Sequence, residues 1–227
     1  DEAIDYFTRV LGFTLVEGPL LESEWYNFDA LNFPKDHPAR DMQDTFFLKN
    51  EPGYVLRTHT SGLQIRYMTE QAKKGIMPPY RIIAPGKCFR NEATDMTHEV
   101  EFFQIEGLAV GEDITLAHLK GTFEKFFSEI FKGNVEVSFR PSFFPFTEPS
   151  IEVDMRLTGT NVTEKLRDKW IEVGGAGMIH PQVLENSGLD SKKYQGWAFG
   201  PGLDRLAMLK WGIDDVRLMH SGDLRFI

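Results

Sequence analysis

Apolar residues Ile4, Phe7, Val10 and Leu11 recur at helical spacing and stop at Gly12, a residue suited to a left-handed cap, so the pattern predicts a helix at the very start. A chain that opens inside a helix is expected to be a fragment of a longer polypeptide. Phe13 to Glu17 reads as a short strand ended by Gly18-Pro19, and Ser23 to Leu31 as a short amphipathic helix with Ser23 near its cap. Residues 33 to 44 form a Pro- and Asp-rich loop. Thr45 to Leu48 and Tyr54 to Thr58 read as strands around the turn Glu51-Pro52-Gly53, followed by a helix from Thr60 or Ser61 to Lys74 closed by Gly75. The centre is strand-rich: Tyr80 to Ala84, Lys87 to Asn91 and Val100 to Val110 alternate, with the polar loop Ala93 to His98 joining the last two as a hairpin. Asp113 to Phe131 is the clearest helix, stopped by Gly133. Val135 to Arg140, Ser150 to Leu157 and Trp170 to Val173 return to strand, with a polar excursion from Thr158 to Lys169. Gln195 to Phe199 turns through Gly200-Pro201-Gly202 into a helix from Leu203 to Trp211. Strands met through hairpins, with helices at intervals, predict an α+β fold built on an antiparallel sheet rather than a parallel doubly wound one.

Composition narrows this picture. With 227 residues and 41% hydrophobic, the chain suits one sizeable core, so residues 1–227 are expected to be a single domain. A single cysteine, Cys88, excludes an internal disulfide or a Cys-paired metal site. No apolar run reaches 18 residues and no leader pattern is visible, so no membrane partner and a cytoplasmic location are expected. The net charge is -9, which argues against a free-standing nucleic-acid binder. That charge is uneven: residues 1–56 hold 11 acidic against 4 basic side chains, whereas residues 57–110 hold 6 against 7. Phosphate-loop, dinucleotide-fold, serine-elbow, zincin and EF-hand motifs are all absent.

Three clusters carry candidate chemistry. In Cys88-Phe89-Arg90-Asn91-Glu92, strand alternation puts Arg90 and Glu92 on one face, a fork-shaped cation and a carboxylate suited to a phosphate and an amine or ribose. A cross-strand ion pair on a solvated face would use the same residues. The next strand adds Phe102, Gln104 and Glu106 on its even face, and buried Gln and Glu are costly unless a polar partner meets them. At Gly196 to Met208, glycines at a strand-to-helix junction allow close backbone approach, and Arg205 adds a charge suited to a terminal phosphate; a tight turn with a surface arginine is the plainer reading. Finally, Phe144 and Phe146 share one side of an extended segment ending in Glu148. Core packing explains the rings equally well, but not the carboxylate.

Together the clusters resemble class II aminoacyl-tRNA synthetases: the Arg90 segment is similar to motif 2, residues 202–208 to motif 3, and the Gly18-Pro19 segment to motif 1. Within that class, residues 27–32, 37–42, 57–61, 144–150 and 196–200 are similar to the α chains of bacterial phenylalanyl-tRNA synthetases, in the same order along the chain. The resemblance implies a class II antiparallel sheet flanked by helices, and a ligase that activates L-phenylalanine with ATP and transfers it to tRNA(Phe). It implies Arg90 and Arg205 as catalytic arginines on the α- and γ-phosphates, with Glu92, His98 and Phe102 as further ATP contacts. Glu148 is implied as a Mg2+ ligand, and His59, Ser61, Gln64, Gln104 and Glu106 as the groups fixing the substrate amine and carboxylate. Phe144, Phe146 and Ala198 would wall the ring pocket, with Gly200 beside it. A β-subunit partner in an α2β2 heterotetramer is also implied, and a tRNA-binding helical arm that would precede residue 1.

Overall fold

The computed structural model describes residues 1–41, 43–158 and 169–222. Helix α1 (Glu2–Asp5) runs on as a wider turn over Tyr6–Val10 and ends at Gly12, whose φ of +70° suits a residue without Cβ. Strands β1 (Thr14–Leu15) and β2 (Leu21–Ser23) lead into α2 (Glu24–Asn27), capped by Ser23 Oγ accepting from the Tyr26 N–H at 3.4 Å. Strand β3 (Tyr54–Leu56), helix α3 (Ser61–Lys73), and the long pair β4 (Tyr80–Phe89) and β5 (Glu101–Gly111) follow. Then come α4 (Leu116–Ile130), β6 (Val135–Phe144), β7 (Thr147–Leu157), β8 (Ile171–Ile179), α5 (Pro181–Asn186), β9 (Gln195–Pro201), α6 (Leu203–Trp211) and α7 (Arg217–His220).

Seven strands form one sheet in the order β1-β4-β5-β9-β8-β7-β6, antiparallel throughout except for β1 beside β4; β2 and β3 make a separate ribbon. Strand alternation divides the apolar side chains between two faces. Ile83, Ile105, Val153 and Phe199 meet α1, α4 and α6 in one core, while Ile82, Leu108, Val110 and Ile179 meet α3 and α5 in the other. Helix α4 contributes Leu119, Phe123, Phe126 and Phe127, all but fully buried. The expected antiparallel α+β architecture is present.

Several element boundaries differ from the pattern. Tyr80 to Phe89 is one strand, not two. Strand β1 pairs with β4 only at Ile82 and Ile83, so the missing N–H of Pro85 costs no ladder bond. Arg57, 5% exposed, fills the space over Gly86, where a Cβ would stand 2.2 Å from its guanidinium. Its Nε donates to Lys87 O at 2.7 Å and Nη1 to Pro19 O at 3.1 Å, tying the Gly18-Pro19 turn to β4. The expected helix Ser23 to Leu31 breaks after Asn27 and resumes as a single 3-10 turn, Asp29–Leu31, ended by Asn32 at φ 61°. Thr45 to Leu48 makes only a bridge, Phe47 to Val55. Helix α5 escaped the pattern although Pro181 sits at its first turn; the His180 ring accepts from the Gln182 N–H. The polar excursion from Thr158 to Lys169 lies outside the described residues at 159–168.

Candidate active site

Glu106 leaves the centre of β5 toward the N-terminus of α3, where Thr60 N (3.0 Å), Ser61 Oγ (2.6 Å) and Gln64 Nε2 (3.0 Å) all donate to it. Burial pushes this carboxyl up to about 7, against the pull of the Ser61 and Thr60 hydrogen bonds and the Arg90 charge. A buried carboxylate held by neutral donors suits a cationic ligand group. Nearby, burial, followed by the Arg90 charge, holds His59 down at about 3. Its neutral ring lies parallel to Phe33 with centroids 6.1 Å apart, and neither buried ring nitrogen finds a partner among the described residues.

These groups form the polar end of a cavity of about 420 Å³ that includes His59, Ser61, Gln64, Gln104 and Glu106. Its other end is apolar, lined by Leu31, Met68, Leu108, Ile179, Val183 and Ala198, with Phe33, Phe144 and Phe146 along the side. The Phe144 and Phe146 rings stack at 5.7 Å and 16°, and Phe33 meets Phe146 at 5.5 Å. Phe33 was not read as a site residue because it belongs to the loop. Arg40 brings it there: Nη2 donates to Asp29 Oδ1 at 2.7 Å and to Phe33 O at 2.8 Å.

A second cavity of about 370 Å³ adjoins the first and shares Arg90, Glu92, Gln104, Phe144, Gly175 and Gly200 with it. Arg90 lies over the Phe102 ring at 4.9 Å and makes a loose ion pair with Glu92 at 3.8 Å. The plainer reading of Arg90 and Glu92 as an ion pair is therefore partly met, but both side chains face the cavities. Arg205 enters from the first turn of α6, which follows the extended cap residue Gly202. Asp204 Oδ2 accepts from Phe103 N at 2.6 Å, pinning that turn to β5. His98 lines the same cavity, with its Nδ1 3.1 Å from Asp95. Cys88 sits behind the junction, 3.5 Å from Gln104 Oε1; burial pushes its thiol up to about 12, so it stays protonated.

Glu148 stands apart. Its side chain is 75% exposed, lies 3.6 Å from His180 Nε2 and lines neither cavity. The carboxylates on β7 and β8 that do line the Arg205 cavity are Glu152 and Glu172. Glu152 accepts from Ser142 Oγ at 2.9 Å and pairs with Arg140 at 3.0 Å. Alternation from Ser150 along β7 could have flagged Glu152; finding Glu172 needed the register of β8. Among the described residues no three His, Cys, Asp or Glu side chains cluster as a metal site.

A substrate with an ammonium group and an aromatic ring could thus lie in the first cavity and present its middle to the arginines of the second. A family model described as "tRNA synthetases class II core domain (F)" matches residues 1–227. The chain belongs to the class II tRNA synthetase core-domain family. Similar relatives are the phenylalanine-tRNA ligase alpha subunits of an Exiguobacterium species, 52% identical, and of Anoxybacillus flavithermus and Geobacillus thermodenitrificans, 51% and 50% identical. The matches cover 100%, 96% and 96% of this chain but 66%, 62% and 62% of those relatives, so the chain spans under two thirds of their length. As a class II core, it has the large, mostly antiparallel sheet flanked by helices that the fold requires.

Proposed function

We propose that this chain is the catalytic part of a phenylalanine-tRNA ligase α subunit, activating L-phenylalanine with ATP and passing it to the terminal ribose of tRNA(Phe). The observation that carries this reading is the junction itself, where a cavity with an aromatic wall and a buried carboxylate opens onto one bearing Arg90 and Arg205. Phenylalanine would place its ammonium at Glu106, with His59, Ser61, Gln64 and Gln104 around its polar end, and its ring along Phe144, Phe146 and Ala198. Its carboxylate then faces Arg90. A carboxylate oxygen attacks the α-phosphorus, the bond to the β-phosphate oxygen breaks, and pyrophosphate leaves with that electron pair. In the second step the terminal ribose hydroxyl attacks the activated carbonyl and AMP departs. No side chain is covalently modified; positioning and charge carry the reaction.

Arg90 would stabilise charge on the α-phosphate and Arg205 on the γ-phosphate, with the adenine on Phe102 and Glu92 and His98 beside the nucleotide. Arg90 already occupies the Phe102 face, so an incoming adenine would take its place there or slide between them. A divalent cation, when bound, neutralises charge between the phosphates. Glu172 and Glu152 face the cavity where those phosphates would lie, and one or two carboxylates suit Mg2+, which keeps water and phosphate oxygens as its other ligands. Glu148, the ligand implied by resemblance, would need donors from outside this cavity to hold an ion.

The β-subunit partner, the α2β2 assembly and a cytoplasmic location belong to the same proposal. The single domain over residues 1–227 does too. Among the described residues no helix is long and apolar enough to cross a membrane. Charging tests the function. The full-length subunit with its partner chain should attach labelled phenylalanine to tRNA(Phe). Transfer of a different amino acid, or adenylate formation with no transfer to tRNA, would overturn it.

A further inference from the structure

Phe144 is seated on a glycine. A Cβ built at Gly175 would stand 2.6 and 2.7 Å from Cζ and Cε2 of the Phe144 ring, well inside the roughly 3.5 Å at which carbon atoms pack. Neighbouring glycines of β8 differ in kind. A Cβ at Gly174 would meet the Pro201 backbone at 2.7 Å, and one at Gly177 the Pro149 carbonyl oxygen at 2.5 Å, so strand packing demands both. At Gly175 the clash is with one side chain only, and that side chain lines both cavities. The ring has few ways to yield. Phe144 N donates to Ser150 Oγ at 3.0 Å at the β6–β7 turn, fixing the backbone, and Phe146 stacks on one side. What remains open is the cavity.

We propose that Gly175 is a specificity-determining residue of the amino-acid cavity: by leaving β8 bare, it lets the Phe144 ring lie back and sets the width left for the substrate ring. The inference rests on the reading that this cavity holds phenylalanine. A methyl at 175 would drive the Phe144 ring off β8 into the space the substrate ring would take, so it acts through Phe144, whose stacking partner Phe146 lines the amino-acid cavity and not the second one.

The test is a double-mutant cycle in the full-length subunit with its partner chain, read by pyrophosphate exchange. Gly175→Ala should raise KM for phenylalanine about tenfold, within the range that overpacking by a methyl produces, while KM for ATP stays within about twofold. In a Phe144→Leu background the same methyl should be silent, leaving KM within about twofold of Phe144→Leu alone. A Gly175→Ala enzyme with unchanged KM for phenylalanine overturns the proposal, as does a full tenfold penalty in the Phe144→Leu background. If Gly175→Ala alone does not fold, the comparison of the double variant with Phe144→Leu decides. If the wild-type enzyme exchanges with another amino acid, the phenylalanine reading fails, and the same cycle on that substrate's KM still decides the role of Gly175.

Discussion

Glu106 is the residue at which burial, hydrogen bonding and function meet. Its carboxyl is raised to about 7 in the folded chain, above the ordinary carboxylate value of 4.5. Between those two values the folded state holds a proton that the unfolded state has released, so this group lowers stability as pH rises from 4.5 toward 7. Substrate binding has the opposite sign. The ammonium of phenylalanine favours the ionised carboxylate, so KM for phenylalanine should rise as pH falls below 7, approaching tenfold per unit. In Glu106→Gln the KM should be higher and flat between pH 5.5 and 7.5; a steep pH dependence that survives the substitution would contradict this. At the far end of the cavity, Ala198 lies opposite Leu108 on β5 and Gly177 on β8, with apolar space around it. Ala198→Gly should admit para-substituted phenylalanines, and an unchanged substrate range in pyrophosphate exchange would sink that expectation. Even spacing along extended segments made Arg90, Glu92, Phe102, Gln104, Glu106, Phe144 and Phe146 legible, whereas His59, Ser61, Gln64, His98, Ala198 and Gly200 came only with the family resemblance. Phe102, Gln104 and Glu106 needed only their even spacing to share a face. Glu152 and Glu172 were not legible as a pair, because which strands lie beside each other is set by long-range pairing.

Elements explain why the site holds its shape. The N-terminus of α3 brings three donors to one carboxylate, and the Gly202 turn delivers Arg205 to the cavity without any side-chain cap. Behind the sheet, the aromatic side of α4 supplies a rigid backing: Phe123 and Phe127 stack at 5.4 Å, and Phe123 meets Phe199 at 5.0 Å. Phe127 is fully buried on the face away from the cavities, so Phe127→Ala should cost about 3–5 kcal/mol and lower the urea midpoint, with KM for both substrates little changed in the folded enzyme. A large KM change with an unaltered midpoint would contradict that division between faces. Long periodic elements such as α3, α4 and β5 were readable from the pattern. Pro85 hid the continuity of β4, because only the shortness of β1 makes a proline tolerable there. Helix α2 stops early because Asn27 turns inward, where its side chain bonds both the backbone N–H and the hydroxyl of Thr58.

Across the whole molecule, the acidic excess coincides with part of the exposed apolar surface. Residues 1–56 carry 7 of the 9 excess negative charges, and Leu20, Leu21, Trp25 and Tyr54 are exposed on or beside the β2–β3 ribbon. This is the part that resembles motif 1, so a partner chain is expected to cover it. Co-purified with a β chain, the full-length subunit should run as a complex in a size measurement, and separate migration at micromolar concentration would count against the assembly. The overall charge bears less on the reaction than it first suggests, since the segments that hold Arg90 and Arg205 are nearly balanced. Phenylalanine-dependent exchange of pyrophosphate into ATP, measured with the partner chain present, tests the central claim most directly. Exchange should require phenylalanine and fall about 100- to 1,000-fold in Arg205→Ala, as expected when one charge-stabilising donor is lost. No exchange with any amino acid, or exchange indifferent to Arg205, would contradict it.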